Sequence, residues 1–87
     1  MELKKAILKA IIIDANYKRG LYIFQRDDGE IGYFELLGAP DLEKEDVLIG
    51  NFEDLGGTTV KRAATKESVD VFIEDFCSFQ LAKKMIS

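Results

Sequence analysis

The chain has 87 residues, 47% apolar and 32% charged, which describes one small globular domain and excludes a disordered segment. A formal net charge of −4 argues against a general polyanion binder. With one cysteine, Cys77, and no histidine, neither an internal disulfide nor a thiolate-imidazole zinc set can form, so we expect no metal, no cofactor and a reducing, cytoplasmic setting.

The opening is basic, but its longest uninterrupted apolar run is Ala10 to Ile13, too short for a secretory core or a membrane span. Leu3, Ile7 and Ile11 fit a helical face with Ala10 and an even-spaced strand face with Ile13. Three consecutive isoleucines favour the strand, because β-branched side chains lose rotamer freedom in a helix and pack well on a pleated surface. A first strand is predicted over residues 3–14, followed by a turn from Asn16 to Gly20.

Asp28-Gly29, between the alternating stretches Leu21 to Arg26 and Ile31 to Leu37, predicts a hairpin with a two-residue loop. Folding on that loop pairs Arg26 with Ile31, Phe24 with Tyr33 and Tyr22 with Glu35, with Ile23 opposite Phe34 and Leu21 opposite Leu36. One face is then apolar, and the other carries the aromatics.

Gly38-Ala39-Pro40 ends the sheet, and Pro40 suits the start of a short helical connector through Glu45. Short strands follow at 46–50 and 58–63, and Val69, Val71 and Ile73 alternate with Asp70, Phe72 and Glu74 in a last one. Phe76, Phe79, Ala82 and Met85 or Ile86 recur at helical spacing, with Lys83 and Lys84 where cations favour the helix dipole, so a helix is predicted over about 76–86. These elements make a mainly β fold. We expect residues 1–87 to form a single domain, an OB-like barrel of five or six strands with a short connector helix and a C-terminal α-helix sealing an open end or edge.

Between Asn16 and Glu35 the chain resembles cold-shock domains, through Asn16, Arg19-Gly20, Asp27-Asp28-Gly29 and Tyr33-Phe34. That resemblance implies a small barrel that stacks unpaired bases on aromatics set two apart after the glycine. Here those positions hold Leu21 and Ile23. Tyr22 and Phe24 stand one place along.

Charge is unevenly laid out: residues 1–26 carry six Lys/Arg and two acids, and residues 27–56 one base and ten acids. Candidate phosphate contacts are Lys5, Lys9, Lys18 and Arg19, opposed by the acidic centre. Asp27, Asp28 and Glu30 lack the spaced ligands of a calcium loop, and residues 50–59 lack a phosphate loop's lysine. Cys77, flanked by Phe76 and Phe79 with no histidine to activate it, reads as an inert thiol. The sequence therefore points away from an enzyme and towards a binding module. Its expected site is the hairpin face of Tyr22, Phe24, Arg26, Ile31 and Tyr33, or an uncovered strand edge, serving a protein partner or self-association. Single-stranded nucleic-acid binding through the same aromatics and the N-terminal bases is the alternative.

Overall fold

The computed structural model describes residues 8–38 and 41–87. Six strands and one helix follow in order: β1 (Leu8–Asn16), β2 (Leu21–Arg26), β3 (Ile31–Leu36), β4 (Val47–Gly50), β5 (Gly56–Arg62), β6 (Ser68–Phe76) and α1 (Phe79–Ile86). All neighbours are antiparallel, and the sheet closes on itself in the order β1-β2-β3-β6-β5-β4. β4 returns beside β1 after the β1-β2-β3 meander, a Greek-key turn of the chain, and β5 and β6 complete the ring. Among the described residues every strand therefore has a neighbour on both sides, and no strand is an edge strand of the sheet.

The first strand extends two residues beyond the predicted Asp14, and the predicted start at Leu3 lies outside the described residues. An irregularity between Ile12 and Asp14 inserts one residue against β2. It resolves the isoleucine run: Ile12 points into the barrel, Ile13 packs beneath the helix, and Ile11 faces solvent.

The hairpin turn is where expectation, then structure, part by one residue. β2 pairs with β3 as Leu21 with Glu35, Tyr22 with Phe34, Ile23 with Tyr33, Phe24 with Gly32 and Gln25 with Ile31. The loop has three residues, Asp27-Asp28-Gly29, with Gly29 at φ +93° and the Arg26 N–H donating to the Glu30 carbonyl at 2.8 Å. A type I turn followed by a glycine at positive φ gives this longer closure. Asp28 favours it by accepting from the Glu30 N–H at 3.1 Å while binding Arg26.

No connector helix forms among described residues 41–46, which turn at Lys44 and Glu45; Pro40 lies outside the described residues. The segment is held instead by the Glu45 N–H to the Ile12 carbonyl (2.7 Å) and by Asp46, whose carboxylate accepts from the Glu43 N–H (2.9 Å) and pairs with Arg62 (3.0 Å). The C-terminal helix starts at Phe79, three residues later than predicted. Phe76 completes β6, and Ser78 caps the helix by accepting from the Leu81 N–H at 3.2 Å.

Two apolar clusters result. Inside the barrel, Phe24, Phe34, Phe52, Ile12, Leu42, Leu48, Val60, Val69, Val71 and Ile73 are fully or almost fully buried. Outside it, Ala82 and Ile86 press onto Leu21, Ile23 and Tyr33 of the β2-β3 wall. Gly32 permits the tightest approach: a Cβ there would stand 2.6 Å from the Asp75 carbonyl and 2.8 Å from the Phe24 ring.

Candidate docking surface

The shifted register separates the five expected hairpin residues, because a one-residue slip in a strand exchanges faces. Tyr22 and Phe24 point inward, where Tyr22 stacks on Phe34 at 5.3 Å and Phe24 packs against Phe34 and Phe52 at 5.9 and 5.0 Å. Tyr33 points outward but lies under α1, with Ile31 at the margin of the same cluster. Arg26 closes the far end of β2. It binds Asp28, donates to the Phe52 carbonyl at 3.0 Å and lies 5.4 Å from the Phe76 ring centre. Burial pushes the Tyr22 and Tyr33 phenols above their ordinary pKa, with Asp41 adding to the first and Glu74 and Asp75 to the second.

The candidate basic residues do not form one stripe. Lys5 lies outside the described residues. Lys9 is on the exposed side of β1 and Lys18 on the β1-β2 turn, whereas Arg19 donates to the Ser87 and Met85 carbonyls at the end of α1. In Asp27-Asp28-Gly29-Glu30 the turn uses the carboxylate: its hydrogen bond from Arg26 holds the Asp28 pKa down to about 2. Among the described residues no three His, Cys, Asp or Glu side chains gather as metal ligands. Cys77 is half-buried, and burial raises its pKa, with Asp75 adding to the effect, so the thiolate is disfavoured.

A different surface emerges from the exposed apolar side chains. Phe72, 41% exposed, stands on the outer face of β6, opposite Glu35 on β3 and Gly57 on β5. Gly57 has no side chain to cover the ring; a Cβ there would meet it at 3.9 Å. Exposed Leu37 follows β3 diagonally from Phe72, its N–H donating to the Asp70 carbonyl at 2.9 Å, and exposed Leu55 leads into β5.

Helix geometry extends the patch. Ala82 and Ile86 face the barrel, and Lys83 on one flank reaches Asp14 of β1 at 2.6 Å. Leu81 and Met85, four residues apart, therefore share the opposite flank, and both are about half exposed. Between Met85 and the sheet lies a shallow cavity of about 270 Å³ lined by Arg19, Leu21, Tyr33, Glu35, Glu74 and Met85. Neither Glu35 nor Glu74 takes part in an ion pair among the described residues.

Sequence reasoning passed over this surface, although one signal was there. Phe72 occupies the polar parity of the strand, between Asp70 and Glu74, where an aromatic side chain has no core to enter. Comparison with family models, with curated proteins and with solved structures finds no match to this chain. No helix among the described residues is long and apolar enough to cross a membrane.

Proposed function

We propose that this domain is a non-catalytic protein-interaction module that docks a partner segment in which apolar residues flank a lysine or arginine. The supporting observation is exposed Phe72 opposite Glu35, with exposed Leu37 two residues further along the chain and Met85 across the cavity that Glu35 and Glu74 line, two carboxylates in no ion pair among the described residues. Apolar side chains supply contact area, and two unpaired acids select a basic residue between them. A second copy is a poorer occupant, because a two-fold interface centred on this patch sets the same carboxylates facing each other. Nucleic acid has less support: Tyr22 and Phe24 stack within the core, and the patch has the charge of the phosphate backbone.

The test is an amide chemical-shift titration with a leucine-lysine amphipathic peptide and its leucine-glutamate counterpart. The expected result is saturable shifts around Glu35, Phe72 and Met85 with the basic peptide alone, weakening as salt rises and lost in Phe72→Ser. Shifts elsewhere, or equal response to the acidic peptide, would overturn the reading.

A further inference from the structure

We infer that the end of the barrel beside the β1-β2 turn carries a second, separate site, a pocket for an organic ammonium group between Tyr17, Tyr22, Asp41 and Glu43. The cavity there measures about 480 Å³ and is lined by those residues and Leu42, with Tyr22 and Leu42 almost wholly covered behind it. Tyr17 is 54% exposed and meets Tyr22 edge to face, ring centres 6.0 Å apart and planes at 81°. Tyr17 is anchored to the facing segment by its hydroxyl, which accepts from the Lys44 N–H at 3.3 Å, and Tyr22 is held behind it by stacking on Phe34.

That anchoring sets the carboxylates of Asp41 and Glu43 at the rim of an aromatic corner. Neither is in an ion pair among the described residues. The one lysine of the segment, Lys44, turns to Asp14 of β1 at 3.5 Å, so among the described residues no cation lines the pocket. An alkylammonium matches the open side of this cavity: its charge is attracted by the exposed Tyr17 ring and the two carboxylates, and its carbon shell packs on that ring. Anions are repelled, and a neutral group of equal size forgoes the electrostatic attraction. Free amines and the lysine or methyl-lysine side chain of a peptide share this chemistry. The site is independent of the Phe72 surface and needs none of its residues.

The experiment follows Tyr17 and Tyr22 ring protons by NMR during titration with tetramethylammonium, N-acetyl-lysine methylamide and the uncharged 2,2-dimethylpropanol. Saturable shifts are expected with the two cations and not with the alcohol, weakened by salt. Tyr17→Leu and Glu43→Gln, each shown to keep the native amide spectrum, should lower the apparent affinity by about 2- to 5-fold. An equal response to the alcohol would make the cavity a generic apolar slot. No shift of either ring with either cation, or affinity unchanged in both variants, would likewise overturn the proposal. A response to lysine methylamide and none to tetramethylammonium would restrict the site to primary amines.

Discussion

Two neighbouring stretches of the barrel's outer wall have been treated differently. On β2 and β3, Leu21, Ile23 and Tyr33 lie under α1 and are nearly inaccessible, whereas one strand further round Phe72 projects from β6 and no described residue covers it fully. Both are apolar positions on the outside of a closed sheet. The difference comes from the length and placement of the helix: its eight residues pack on β2 and β3 and do not extend over β6. An apolar side chain on an outer wall therefore has two meanings here. Where the chain supplies a cover it is structure, and where it does not it is a contact surface.

Substitutions sharpen that contrast. The largest loss is expected inside the barrel, where Phe34→Ala should cost about 3–5 kcal/mol, enough to unfold most molecules of a domain this size, as urea denaturation would show. On the covered wall, Ile86→Ala should cost about 2 kcal/mol and selectively raise hydrogen exchange in α1. On the bare wall, Phe72→Ser should leave the urea midpoint within about 0.5 kcal/mol of wild type while abolishing docking of the basic peptide. A large destabilisation from this change would mean that Phe72 is structural after all, and the distinction between the walls would fall.

The smallest effect concerns the ion pair that ties α1 to β1. Asp14 has its pKa lowered, chiefly by the hydrogen bond from Lys83, with Ala15 N–H and Lys44 contributing. A carboxyl depressed on folding adds stability that is fully present above its unfolded value near 4 and disappears as pH falls through the folded value. Because Lys83 is half exposed, the contribution should stay under about 1 kcal/mol. Asp14→Asn should remove this part of the acid sensitivity, measured as the change in urea midpoint between pH 7 and pH 3.

The barrel was legible in the sequence because alternation and turn residues report strands locally. Val69, Val71 and Ile73 point inward as their spacing demands, and the C-terminal period of three to four does form a helix. Two features escaped because longer-range geometry decides them. Asp28-Gly29 is compatible with loops of two or three residues, and the choice rests on Gly29 alone holding positive φ while Asp27 and Asp28 close the turn. That choice moved Tyr33 away from Tyr22. Phe76 fits both the helical period and the strand; the ladder with Gly32 and a cap at Ser78 assigned it to β6. The candidate surface was harder still, since Leu37, Phe72 and Met85 are separated in sequence and meet only once β3, β6 and α1 are placed.

The ring of strands has a last implication for how this domain changes over time. With the ring of strands closed, recognition passes to side chains projecting from a frame that they do not help to hold. Preference for a partner can then be rewritten one residue at a time at positions such as 37, 72 or 85, with folding left as it was.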